Sequence, residues 1–277
     1  MTLDPAAVAH WQTWIGRTET RTEIIEIQSL RRYAVALGES LDVETVLPSL
    51  AHWACFLPVA ASDQLDVDGH PKRGGFLPPV TLQRRMFAAA DMAFGAPLLP
   101  GRQATRTSRI AGVTHKAGRS GGLVLVEVEH EIEQAGQVRV RERQTIVYRD
   151  AGASIPAVIP IEQGDAPGAV TWLPGTVDLF RFSAVTFNSH PIHYDAAYAT
   201  GEEGYPGLVV QGPFTAARLF SLGTKQGGSI RQFSFRALAP LFVDQPVTLV
   251  HGKDSVSAIR CDGVTAMAAT FKCGNEP

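Results

Sequence analysis

The chain has little cysteine, almost no excess charge and no long apolar run. Its 3 cysteines among 277 residues, Cys55, Cys261 and Cys273, are odd in number and far from any Cys-x-x-Cys spacing. That excludes a disulfide scaffold and fits reduced thiols in the cytoplasm. A net charge of −2 argues against a nucleic-acid surface. No stretch is long and apolar enough to span a membrane. The opening MTLDPAAVAHWQTWIG has no basic patch followed by an apolar core, so no secretory signal is expected. Also missing are a Gly-x-Ser-x-Gly elbow, a Walker A loop and a dinucleotide-binding glycine fingerprint after a strand. What remains is an ordinary globular composition, 45% hydrophobic and 19% charged, long enough for one large domain or two small ones around a real core.

Ser29 is placed to cap a short helix carrying Leu30, Tyr33, Ala34 and Leu37, ended by Gly38. Residues 43–80 are broken by Pro48, Pro58, Pro71, Pro78 and Pro79, and SDQLDVDGHPKRGGFLPP reads as a loop over the surface or over a site. From Val80 to Phe94 the spacing of Leu82, Met86, Ala89, Ala90 and Ala93 predicts a helix. After Gly95, period-two alternation predicts three long antiparallel strands, joined by turns at Lys116–Gly122 and Gln134–Gln137. Residues 151–176 have linker composition. Beyond them come a strand-like run from Arg181 and a helix over Pro213–Leu222. Strands are expected at Ser229–Phe235, Pro246–His251, Ser255–Cys261 and Thr265–Lys272.

The two halves repeat. Ala96-Pro97-Leu98-Leu99 matches Ala239-Pro240-Leu241-Phe242, and residues 32–39 match 181–188 loosely. A duplicated helix-plus-antiparallel-sheet unit follows, with residues 1–150 as the first, 151–176 as linker and 177–277 as the second.

Chemistry concentrates in the second half, in RFSAVTFNSHPIHYDAAY (181–198). Asn188, His190, His193 and Asp195 fall around Pro191, which keeps a helix from starting earlier. Shortly after, YPGLVVQGP leads through Gly212 into the predicted helix. A histidine moves protons near neutral pH, and free N–H groups at a helix start hold a developing oxyanion. The first half carries Gly38-Glu39-Ser40-Leu41-Asp42 where the second has this histidine-bearing loop. Zinc ligation by His190, His193 and Asp195 is an alternative, but no further cluster completes a conventional spacing. Arg84 and Arg85, on the predicted helix, and Arg236, in a strand, are anion candidates. A solvated helix face and a structural salt bridge are their ordinary explanations.

FSAVTFNSHPIHYD, YPGLVVQGP, RGGFLPPVTLQRRMF and RALAPLF resemble the MaoC-like, R-specific enoyl-CoA hydratase superfamily. Within it, the chain is most similar to type 2 3-hydroxyacyl-thioester dehydratases and mesaconyl-C4-CoA hydratases, over nearly its whole length. The resemblance implies an α+β double hot-dog fold, each half a helix wrapped by antiparallel sheet, with a degenerate first half and a catalytic second half. It implies reversible hydration of a short 2-enoyl-CoA, with mesaconyl and itaconyl groups as candidates, and no metal or redox cofactor. A homodimer or higher oligomer is also expected.

The superfamily motif Gly-Asp-x-Asn-Pro-x-His places its histidine on His193, its proline on Pro191, its catalytic aspartate on Asn188 and its asparagine on His190. The oxyanion-hole glycine falls on Gly212. An amide is no carboxylate base. On this resemblance His193 carries protons, Asn188 positions water, His190 or Asp195 tunes His193, and Arg84, Arg85 and Arg236 are candidates for coenzyme A phosphates or a substrate carboxylate. The alternatives are a dehydratase of fatty-acid synthesis, a hot-dog acyl-CoA thioesterase and a non-catalytic acyl-thioester binding subunit.

Overall fold

The computed structural model describes residues 3–118, 121–162 and 168–274. In the first half, α1 (Pro5–Gln12), β1 (Thr18–Ile24) and α2 (Ile27–Leu37) precede a long irregular stretch with one short 3-10 turn at Ala51–Ala54 and another at Ser62–Gln64. Then come β2 (Arg84–Phe94), β3 (Gln103–Gly118), β4 (Gly121–Gln134) and β5 (Gln137–Arg149). The second half holds β6 (Val170–Trp172), α3 (Thr176–Val185), a 3-10 turn at Pro191–His193, α4 (Ala196–Gly201) and α5 (Gly212–Gly227). It closes with β7 (Ile230–Ala237), β8 (Val247–His251), β9 (Ser255–Ile259) and β10 (Thr265–Cys273).

The strands form one antiparallel sheet in the order β1-β3-β4-β5-β2-β7-β10-β9-β8-β6. Read outward from the β2–β7 junction, each half repeats the same order, so the duplication seen in the sequence is a duplication of topology. The matched segments Ala96-Pro97 and Ala239-Pro240 are the equivalent exits from β2 and β7, and α2 and α3 are equivalent helices packed on each other. Tyr33 of α2 meets Phe182 of α3 with ring centroids 5.9 Å apart. One apolar core runs from Ile25 and Leu30 through Phe182 and Phe214 to Phe271, so the halves share their interior.

Four expectations are corrected. Ser29 does not cap α2, which starts at Ile27 after Glu26 and holds Ser29 inside its first turn. Val80–Phe94 is not a helix: β2 occupies it, with a register shift between Phe87 and Ala89. As a central strand it is held by partners on both edges, and that pairing overrides the helix preference of its alanines. Arg181–Val185 is not a strand but the end of α3. The Asp178 side chain accepts from Gly175 N–H at 2.9 Å, fixing the first turn of α3. The stretch expected as linker contains β6, the outermost strand of the second half, paired to β8. The three long strands of the first half stand where alternation placed them. The turn at Ala135 and Gly136 has positive φ at both residues, whereas residues 119–120 of the other expected turn lie outside the described residues.

Candidate active site

A cavity of about 500 Å³ opens where the second half's histidine loop faces the first half. Its walls include His193, His190, Asn188 and Gly212 from the second half, and His70, Arg85, Phe87 and Arg149 from the first. A larger open groove, about 730 Å³, lies on a solvated face of the sheet among arginine–glutamate pairs, such as Arg109–Glu129. We take the smaller cavity as the site because polar groups converge there on an apolar wall.

The loop that carries the histidines is built by local geometry. Phe187, at φ 49, closes α3 in the left-handed region. Asn188 N then donates to Ser183 O at 2.8 Å. Asn188 Oδ1 accepts from His190 N at 3.1 Å. Pro191 starts the 3-10 turn that buries Ile192 and His193. His193 is then locked from outside the loop: its ring Nδ1 lies 2.7 Å from Val209 O, and Val209 N donates to Ile192 O at 2.9 Å. A carbonyl only accepts, so Nδ1 carries the proton and Nε2 keeps the lone pair. Burial, with the charge of His70 adding to it, pushes His193 down to about 4, against the pull of the Val209 bond. The ring is therefore neutral at pH 7, with Nε2 ready to accept a proton.

His190 is buried, and its Nε2 has no hydrogen-bond partner. Burial first, then His70 and His193, press it down to about 2. Gly212 opens α5, and Pro213 follows it with no N–H of its own. Gln211, fully buried, donates through Nε2 to Leu179 O and Ser183 Oγ, both at 2.9 Å, tying the start of α5 to α3. The start of α5 also abuts the first half, since a Cβ on Gly212 would lie 3.6 Å from Phe87 O. The first N–H groups of a helix have no partner inside it and carry its positive end, so this corner suits a developing oxyanion.

Other expected site residues go elsewhere. Asp195 is exposed, and its Oδ1 caps α4 by accepting from Tyr198 N at 3.0 Å. Among the described residues no group of three or more His, Cys, Asp or Glu is arranged to hold a metal ion. Arg84 is on a strand, not a helix, and is buried against Glu203, Nε to Oε2 2.8 Å, so it is not a free anion ligand. Arg236 of β7 is exposed and sits opposite Ala89 and Ala268, outside the cavity wall. Arg85 does line the cavity.

Two groups at the site were not foreseen. Arg149 lines the cavity, and its Nε is buried without a hydrogen bond. His70 comes from the loop read as lying over a site. Its ring is 4.8 Å from that of His190, and its Nδ1 is 3.2 Å from Asp68 Oδ2.

This is a double hot-dog protein with a histidine and a helix start facing one cavity between its halves, the layout of a hydro-lyase acting on acyl thioesters. The profile of hydroxyacyl-thioester dehydratase type 2 matches residues 50–243, and the chain belongs to that family. A mesaconyl-C(4)-CoA hydratase of Chloroflexus aurantiacus is 43% identical over 280 residues, covering 96% of this chain and 99% of the relative. The mitochondrial hydroxyacyl-thioester dehydratase type 2 of Schizosaccharomyces pombe is 39% identical over 80 residues, 27% of each chain. Among solved structures, HtdX of Mycobacterium tuberculosis superposes with TM-score 0.68 at 17% identity, covering 93% of this chain and 99% of that one. Another protein of that organism, described as having a double hotdog fold, superposes with TM-score 0.55 at 10% identity, over 93% and 95%. The chain is an enzyme of enoyl-CoA hydration and 3-hydroxyacyl-CoA dehydration. No helix among the described residues is long and apolar enough to cross a membrane.

Proposed function

We propose that this enzyme hydrates a short enoyl-CoA whose acyl group ends in a second carboxylate, of the mesaconyl-C4 or itaconyl type. The observation that carries this is the pair Arg85 and Arg149, two guanidinium groups on the wall of a largely apolar cavity, neither in an ion pair among the described residues. Both side chains are half-buried, where a guanidinium beside an apolar wall gains from a direct anionic partner, and a substrate carboxylate would supply it. The relative's name points to the same class.

His193 Nε2 carries the proton between water and substrate. Asn188 positions the water by hydrogen bonds, and the Gly212 N–H polarises the thioester carbonyl and holds the enolate. His190, beside His193, tunes it. Proton transfer and hydrogen bonding suffice for this chemistry, so no metal or redox cofactor is assigned. The exposed Val177, Phe180 and Phe187 on and after α3 support a homodimer or higher oligomer, and the free cysteines support the cytoplasm.

The test is a panel of enoyl-CoA esters with and without a distal carboxylate, followed by loss of the conjugated thioester absorbance. The dicarboxylic esters are expected to give the higher kcat/KM. Preference for long unbranched chains would favour a role in fatty-acid synthesis, and release of free thiol would mark a thioesterase.

A further inference from the structure

Hydration has two proton events: an O–H bond of water breaks as oxygen joins Cβ, and a C–H bond forms at Cα. The carboxamide of Asn188 can carry neither proton. His193 offers a single lone pair, because Val209 O holds its other ring nitrogen. The first half fills the gap. His70 lines the cavity, and behind it stands Asp68, 7% exposed. Asp68 Oδ1 accepts from His70 N at 3.1 Å, and its Oδ2 lies 3.2 Å from His70 Nδ1, off the ideal hydrogen-bond axis. Arg73 Nη2 lies 3.7 Å from the same oxygen. The His190 ring stands 4.8 Å from His70 and 5.6 Å from His193, so three imidazoles run from one half of the chain to the other. The register between the halves is set by backbone: Ser189 Oγ donates to Gly69 O, and Gly69 lies against Ser189 O with no room for a Cβ.

We propose that His70, backed by Asp68, is a second proton-carrying residue of this site and does the work that a carboxylate at position 188 would otherwise do. The proposal rests on the hydration reading above. With its Nδ1–H toward Asp68, His70 presents a lone pair on Nε2, the carboxylate–imidazole arrangement suited to a general base. Nε2 takes one proton from water as the oxygen bonds to Cβ. The π pair moves to Cα and on to the thioester oxygen, held at the start of α5. Asp68 stabilises the His70 imidazolium. His70 then releases that proton to solvent, and His193 Nε2 takes one up from solvent. His193 delivers the proton to Cα as the carbonyl reforms. One water is added, and every residue returns to its starting charge.

The experiment compares wild type, His70→Gln and Asp68→Asn on the enoyl-CoA that the wild type hydrates best, with kcat, KM and melting temperature recorded together. Glutamine keeps the size and a hydrogen-bond donor but carries no proton. For His70→Gln we expect kcat to fall about a hundredfold or more, with KM within about threefold and a parent-like melting temperature. For Asp68→Asn we expect kcat to fall about tenfold, and the kcat/KM limb that requires the free base to move to lower pH, because the imidazolium has lost its carboxylate. The other charged or titratable groups around His70, namely Arg73, Arg85, His190 and His193, are unchanged in that variant.

His70→Gln with kcat within threefold of wild type overturns the proposal, as does Asp68→Asn with an unmoved limb. Should His70→Gln fail to fold, the Asp68→Asn profile decides alone. A wild type that hydrates crotonyl-CoA but not mesaconyl-C4-CoA refutes the dicarboxylic substrate and leaves His70 to be judged on crotonyl-CoA. A wild type that hydrates neither overturns both.

Discussion

Replacing Gly69 by alanine tests whether the first half sets the geometry of the histidine loop. Gly69 has φ +72, and an added Cβ would sit 2.1 Å from Ser189 O, 2.8 Å from Ser189 C and 3.4 Å from His190 N. Real Cβ atoms essentially never come within 3.0 Å of a neighbour, so one backbone must retreat from the other by about 0.9 Å. No flexible side chain absorbs the move. The left-handed φ adds roughly 1–2 kcal/mol for a residue with a Cβ. That strain lowers stability by only a few degrees of melting temperature in a chain of this size. The displacement acts on the peptides that carry Asn188 and His190, and a misplacement of about 1 Å at a reacting group costs about a hundredfold in rate.

Gly136→Ala separates the two effects. Its φ is +70, in the β4–β5 turn, with nothing within 4 Å of the added Cβ, so it carries the same strain without the clash. Gly136→Ala is expected to melt a few degrees lower and keep full turnover, whereas Gly69→Ala should lose about a hundredfold in kcat. Decay of the enoyl-thioester absorbance and a thermal melt on each variant are sufficient. Parent-like kcat in Gly69→Ala would show that the loop from the first half merely rests on the site and does not position it.

His193→Ala should lower kcat about a hundredfold or more with the fold retained; a folded, active variant places the chemistry elsewhere. Arg85→Gln and Arg149→Gln should each raise KM for a dicarboxylic enoyl-CoA about tenfold, because a charged hydrogen bond of roughly 1.5–3 kcal/mol is lost. KM for crotonyl-CoA should be unchanged in both, and equal effects on the two substrates would remove the arginines from recognition of the carboxylate.

Acidification should weaken the fold. His193 titrates near 6.5 unfolded and at about 4 folded, and His130, half-buried on β4, shows the same fall. The unfolded chain thus binds more protons, so the stability present at neutral pH is lost as pH drops from about 6.5 toward 4. Denaturant melts at stepped pH should show that slope, and a smaller one in a folded His193→Gln variant; equal slopes would show that His193 is not the source.

The sequence disclosed the strands wherever alternation was clean and one face was buried. β3, β4 and β5 are such strands, and so are β7 to β10. It misled at β2, where a bulge breaks the alternation and an alanine run imitates a helix face. It misled again at α3, where Val185, Thr186 and Phe187 suggest a strand and the capping contact of Asp178 goes unread. The histidine loop and the Gly212 junction were legible because motif and turn chemistry are local. Arg149 and His70 were not. Arg149 reaches the site through β5 lying beside β2, where Arg84 is its direct partner, and single-sequence reading cannot pair strands. His70 stands in a loop of ordinary turn composition, and the contact of Gly69 with Ser189 joins positions 120 residues apart in the chain. Asp68-Gly69-His70 in a loop already suspected of covering a site was the only local sign.

The same division of the site between halves predicts how the chain behaves when cut. A fragment of residues 168–277 keeps β6 to β10, His193, Asn188 and Gly212, but β7 loses its partner. Ala89 to Ala93 of β2 pair with Arg236 to Gln232 of β7, and without them a central strand becomes an open edge ready to add another chain. Phe214, Phe182 and Leu219 belong to the core that also holds Leu30, Tyr33 and Phe56, so the cut exposes a broad apolar face. The cavity loses His70, Arg85, Phe87 and Arg149 from its wall. We expect the fragment to precipitate or self-associate and to hydrate little substrate. Co-expression with residues 1–150 should restore soluble material and part of the turnover. Titration with a non-reactive enoyl-CoA analogue should then show one site per reconstituted pair, matching one per intact chain. A soluble, monomeric and fully active C-terminal fragment would refute this, because the first half would then neither wall the cavity nor supply a proton carrier to it.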